Sequence, residues 1–78
     1  MLDFKRIEDD ERHSIYEFHA EGDPSRVGRA VVDKLKGTVK PTEDWSIDIS
    51  WHGSKLLSTL ERGLASGNLK DSGTIMWY

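Results

Sequence analysis

The sequence contains no cysteine, so neither a disulfide nor a thiolate metal site can staple it. That absence suits a reducing compartment. No apolar run approaches the roughly 18–20 residues that a membrane span needs. The opening stretch "MLDFKRIEDDER" lacks the apolar core of a secretory signal, so a cytoplasmic location is expected. No internal repeat and no low-complexity tract is visible. Neither a GxGxxG nor a Walker-type GxxxxGK run occurs, which leaves no glycine-rich phosphate cradle.

What is present is small and unevenly charged. The 78 residues suffice for one domain, residues 1–78. A chain of this length buries only roughly 60–65% of the surface it exposes when unfolded. Its core must come from aliphatic residues and seven aromatics, three of them tryptophan. The net charge is −3, yet residues 1–25 carry −5, residues 26–42 carry +4 and residues 43–78 carry −2. The middle of the chain is thus basic within an acidic protein.

Hydrophobic periodicity organises the first twenty residues as a hairpin. "LDFKRI" and "SIYEFHA" flank a charged loop around "EDDER", and Tyr16, Phe18 and Ala20 alternate with Glu17 and His19. Directly opposed residues of an antiparallel pair share a face. Setting Phe4 opposite Phe18 also sets Leu2 opposite Ala20 and Arg6 opposite Tyr16, which gathers the apolar side chains on one face. A slip of one residue would scatter them. Ile7 and Ile15 are then expected as a pair on the other face.

The stretch "RVGRAVVDKLKGTVKP", residues 26–41, supports two readings. A helix over 24–36 would have Asp23 as N-cap, Pro24 at its first position and Gly37 as C-cap, with Val27, Val31 and Leu35 as a stripe. Gly28 would cost that helix about 1 kcal/mol relative to alanine, and three β-branched valines also disfavour it. A hairpin would have "VGRAVV" and "TVKP" as arms and "DKLKG" as the turn, with Leu35 left at the tip. The hairpin is preferred, because two strands alone make a barely stable sheet and need further strands.

In "DWSIDISW", Trp45, Ile47, Ile49 and Trp51 alternate with polar residues, which is strand period. "SKLLSTLERGLASGN" places Leu56, Leu57, Leu60 and Leu64 at helical spacing and predicts a long helix over about 53–66. Ser50 or Ser54 is expected to cap its start, and Gly67 or Asn68, with Leu69 following, to end it. Gly63 inside that helix suggests close packing on the sheet. "SGTIMWY" has apolar residues on both faces, which suggests a strand covered on both sides, or an interior strand, with Trp77 and Tyr78 at least partly covered.

The predicted class is α+β: an antiparallel sheet of about four to five strands with one long helix packed across it, in the order β-β-β-β-α-β. The alternative order is β-β-α-β-α-β, should 24–36 be helical.

Few residues suggest chemistry. His13 and His19 share a strand face but stand roughly 20 Å apart, too far for one ion. Asp48, His52 and Ser54 lie close in sequence, but strand alternation separates Asp48 from His52, and a relay needs contact. Asp9, Asp10 and Glu11 fall in a solvated loop that gives no reason for a shifted pKa. No catalytic residue, metal or cofactor is therefore expected.

The expectation is a non-enzymatic interaction or accessory module. It would bind another protein, or itself as a homodimer, through a sheet face or edge and the basic segment. Arg26, Arg29, Lys34, Lys36, Lys40 and Trp45 are its candidate binding residues, with Arg29, Lys34 and Lys36 steering an acidic partner. The alternative is a nucleic-acid-binding domain using the basic 26–40 segment. The acidic pI near 5.5 and the lack of aromatics within the basic run count against it.

Overall fold

The period-two stretches at the start of the chain pair as expected. The computed structural model describes residues 1–76. Strands β1 (Leu2–Asp9) and β2 (His13–Ala20) form an antiparallel hairpin. Leu2 faces Ala20, Phe4 faces Phe18 and Arg6 faces Tyr16. The apolar members of this set are buried on one face. Beyond Arg6 the register shifts, and a β-bulge at Ile7 sets Glu8 against Ile15. The expected Ile7–Ile15 pair does not form. Instead the extra residue carries Asp9 opposite buried Ser14, whose hydroxyl donates to the Asp9 carboxylate at 2.6 Å.

The basic stretch is a hairpin. Strand β3 (Val27–Asp33) runs beside β2, and β4 (Thr38–Pro41) returns along β3. Gly28, Ala30 and Val32 point to the core, and only small side chains fit there. A β-carbon on Gly28 would meet the Phe18 ring at 2.6 Å. The turn is closed by Asp33, whose carboxylate accepts the backbone N–H groups of Leu35 and Lys36. Gly37 follows with φ +70°, the left-handed conformation that glycine adopts without steric cost. Val27 and Leu35, two members of the stripe a helix would have buried, are exposed.

The next element departs from expectation. Residues 45–51 do not form a strand. Helix α1 spans Ile47–Ser66, starting well before residue 53. The alternation was misleading because only one of its members is deeply buried. Ile49 is 4% exposed, whereas Ile47 is 92% and Trp51 52% exposed. The stripe that faces the sheet is Ile49, Gly53, Leu56 and Leu60, spaced by four, three and four residues. Full burial of leucines such as Leu56 and Leu60 stabilises the fold by roughly 1.5–3 kcal/mol each. Ser46, and not Ser50 or Ser54, precedes the first turn, and the end is closed at Gly67 (φ +72°) with Asn68 N–H donated to the Gly63 carbonyl at 2.7 Å. Gly63 abuts this C-terminal turn, not the sheet: a β-carbon there would lie 3.0 Å from the Asn68 carbonyl oxygen.

Strand β5 (Ser72–Ile75) pairs with β1, giving a five-stranded antiparallel sheet in the order β4-β3-β2-β1-β5. Along the chain the order is β-β-β-β-α-β, a small α+β fold. β5 is therefore an edge strand and not an interior one, and Met76 beyond it is 63% exposed. The expectation for Trp77 and Tyr78 lies outside the described residues. The helix packs mainly over β2, β3 and β4. The β1–β5 side of the core face is less covered. No helix among the described residues is long and apolar enough to cross a membrane.

Candidate functional site: the basic hairpin and the sheet edges

The five bases of the 26–40 segment do not make one patch. Arg26 lies at one end of β3, and Lys34 and Lys36 lie at the other, roughly 25 Å away. Arg29 and Lys40 sit between them on the sheet face away from the helix. Three of the five hold partners inside the fold. Arg26 donates to the Asp48 backbone carbonyl at 2.6 Å and stands 3.6 Å from its carboxylate. Arg29 pairs with Glu17 at 3.1 Å. Lys34 donates to the Asp9 carboxylate at 2.6 Å and to the Asp10 carbonyl at 2.7 Å. Lys36 and Lys40 are exposed and make no ion pair among the described residues.

These contacts leave an electrostatic signature on the acids. The Lys34 ammonium and then the Ser14 hydroxyl hold the Asp9 carboxyl down at about 2. The Lys36 N–H group, with help from that of Leu35, lowers Asp33. The Ser46 hydroxyl lowers Asp48, with a smaller contribution from Arg26. None of these partners is adjacent in sequence to the base it meets, so the basic run gave no sign that its charge is largely spent internally.

Trp45 is half-buried against the core. Its indole N–H is donated to the Arg29 carbonyl at 3.0 Å, and its ring packs over Gly53 of the helix. The fold uses this residue as a wedge between α1 and β3.

The histidines are dispersed. His13 stands 3.7 Å from Asp33, His19 3.6 Å from Glu17 and His52 2.9 Å from Glu21. Among the described residues no group of three His, Asp or Glu side chains could hold a metal ion. The helix does place Asp48 and His52 one turn apart, contrary to the strand expectation. They still do not form a relay. Asp48 engages Ser46 and Arg26, His52 engages Glu21, and the Ser54 hydroxyl donates to the Trp51 carbonyl at 2.6 Å.

The sheet face away from the helix is a polar ladder. Arg29, Glu17 and Lys5 stand side by side across β3, β2 and β1, with alternating sign. Beside them Val27, His19, Asp3 and Thr74 form the next row, and the Thr74 hydroxyl donates to Asp3 at 2.9 Å. Opposed Ile15 and Val31 supply a small apolar spot. Such cross-strand pairs stabilise the sheet, and they leave this face largely satisfied.

A second cationic group escaped the sequence reading. Arg6 is 17% exposed; its guanidinium lies 5.5 Å from the Tyr16 ring centroid and pairs with Asp9 at 3.1 Å and Asp71 at 3.0 Å. It also donates to the Leu69 carbonyl at 3.2 Å, while the Tyr16 hydroxyl donates to the Lys70 carbonyl at 2.7 Å. Burial pushes the Tyr16 hydroxyl pKa up. The two side chains tie the turn before β5 to the sheet.

The two edges differ. On β4, Thr38 and Lys40 bond β3, so the backbone nitrogen that faces outward at the end of the strand is that of Pro41, which has no hydrogen to give. On β5 no such block exists. Beside β5, between it and the C-terminal half of α1, runs a groove of about 320 Å³ floored by Phe4, Leu60, Leu69 and Ile75.

Comparison with protein-family models, curated proteins and solved structures returns no match for this chain.

Proposed function

We propose that this chain is a non-enzymatic contact module that binds a protein partner or a second copy of itself. The observation that carries the reading is the pairing of an unblocked sheet edge, β5, with an open apolar groove beside it. Backbone groups of such an edge give affinity to an added strand, and an adjoining groove gives selectivity for its side chains. Exposed Lys36 and Lys40 supply steering charge at the far corner of the sheet. A cytoplasmic setting belongs to this reading, since a cysteine-free chain suits a reducing compartment.

The nucleic-acid alternative has less support. Arg26, Arg29 and Lys34 already neutralise Asp48, Glu17 and Asp9, so only Lys36 and Lys40 of that segment are left to meet phosphates.

Sedimentation of the full chain over a range of concentrations, combined with a photocrosslinking residue at position 40, 58 or 74, tests the reading. A mass above the monomer, or one defined adduct from position 40 or 74 and none from position 58 on the outer helix face, supports it. A monomer at every concentration that yields no adduct from any position rejects it.

A further inference from the structure

The backbone pattern of β5 decides which of its groups are available. Arg6 N–H is donated to the Asp71 carbonyl at 2.6 Å, which makes Arg6–Asp71 a hydrogen-bonded pair. Alternation along the antiparallel ladder then turns Gly73 and Ile75 toward β1. The N–H and C=O groups of Ser72 and Thr74 point outward, and no described strand lies beyond them. A buried or paired backbone group is the rule, and a bare edge is one that proteins usually blunt. β4 is blunted in this way by Pro41, and β5 carries neither proline nor lysine.

The groove lies on the core side of that edge because the helix is displaced toward β4 and because Gly73 has no side chain. The Phe4 ring rests across Gly73, so close that a β-carbon there would stand 3.0 Å from it. A strand added outside β5 would set alternate side chains beside Gly73 and Ile75, above an apolar floor. The charged residues that line the groove are Arg62 and Lys70, and neither makes an ion pair among the described residues. Asp71, next in sequence, is held by Arg6.

We propose that β5 and the adjoining groove take an extended peptide of another protein, in which the residues on one face, every second one, are apolar at the centre and acidic at the ends. This rests on the contact-module reading and names its partner's chemistry. On that one face the central apolar side chains fill the groove and the flanking acidic ones meet Arg62 and Lys70 at its rim, while the peptide backbone bonds Ser72 and Thr74. A second copy fits less well. Two β5 edges paired about a two-fold axis would bring Ser72 and Thr74 to each other, would offer the groove only Gly73 and an Ile75 that already packs against its own core, and would set cationic rim near cationic rim.

The test pans a phage-displayed library of short random peptides against the full chain, then titrates a synthetic copy of the leading sequence into isotope-labelled protein. The expected sequences carry apolar residues at i and i+2, with Asp or Glu at i−2 or i+4 on the same face. Their amide shifts should fall on Ser72, Gly73, Thr74, Arg62 and Gly63, with slowed exchange at the Thr74 amide. Combined Arg62→Glu and Lys70→Glu substitution should weaken binding about tenfold, as two rim pairs turn repulsive. Thr74→Pro removes an outward N–H and the hydroxyl bond to Asp3 but no backbone bond to β1. It should abolish binding while distant amides keep their positions, whereas Thr74→Val, which loses the hydroxyl alone, should retain binding.

Enrichment of basic sequences, or of sequences without apolar residues at every second position, or shifts at Lys36 and Lys40 in place of β5, would overturn the proposal but leave the contact-module reading standing. Shifts at β5 on raising protein concentration alone would do the same, by naming a second copy as the occupant. No enriched peptide, together with no crosslink from any position, removes both.

Discussion

Trp45 stands edge-on to Phe18, with ring centroids 5.2 Å apart and planes at 80°. Because the Trp45 indole also packs over Gly53, the start of the helix is locked to β2 and β3 through one side chain.

Gly53→Ala is expected to destabilise the protein by about 1–3 kcal/mol, since a β-carbon there overlaps the Trp45 ring and forces repacking. Intrinsic preference runs the other way, favouring alanine in a helix by about 1 kcal/mol. Urea denaturation separates the two: a stabilised Gly53→Ala variant would mean that Trp45 does not occupy this position.

Acid should weaken the fold through Asp9. Its folded pKa of about 2 lies below the ordinary aspartate value near 4, so the stability it contributes is complete above about 4 and is lost as pH falls toward 2. Asp9→Asn should therefore be less stable than the parent at neutral pH and approach it near pH 2. Urea midpoints measured across that range check the convergence. Parallel curves would remove Asp9 as a source of the acid limb.

Arg6→Ala should cost about 2–3 kcal/mol, because it strips partners from Asp9 and Asp71 and releases the Leu69 carbonyl. Tyr16→Phe should cost about 1 kcal/mol through loss of the bond to Lys70. Both hold the turn before β5, so hydrogen exchange at Gly73 and Ile75 should accelerate more than at the β2–β3 ladder. Uniform acceleration across the sheet would contradict a local tether.

Gly37→Ala should destabilise by about 1 kcal/mol on backbone grounds alone, since φ is +70° and no atom lies within 4 Å of the added carbon. Gly37→Asn should recover part of that loss, because asparagine tolerates the left-handed region better. Thermal melts of the three proteins give the order. Equal melting of the alanine and parent proteins would remove the conformational argument.

Much of the sheet was legible because a face rule leaves little choice. A slip of one residue would part Phe4, Phe18, Leu2 and Ala20, and a register that keeps them together forms. The bulge at Ile7 was not legible, since it goes with a contact between Asp9 and Ser14 that only the folded hairpin brings together. The 26–41 segment suits a hairpin because its core face is Gly28, Ala30 and Val32, small enough to lie beneath the helix. The stretch at 45–51 misled because exposed Ile47 and half-exposed Trp51 imitate strand period around a single buried Ile49. For the candidate site, the bases of the 26–40 segment could be named from the chain, but their state could not. Asp48, Glu17 and Asp9 come from three other elements, and only folding brings them into range.

Pro41 has a consequence for supramolecular growth. Repetitive stacking of sheets into a fibre requires each subunit to accept a neighbour on both flanks. On the β4 flank the outward groups are those of Val39 and Pro41, and the imide nitrogen of Pro41 offers no donor, so strand addition is less favoured there than on the β5 flank. Repeated growth that uses both flanks of the same sheet is disfavoured accordingly.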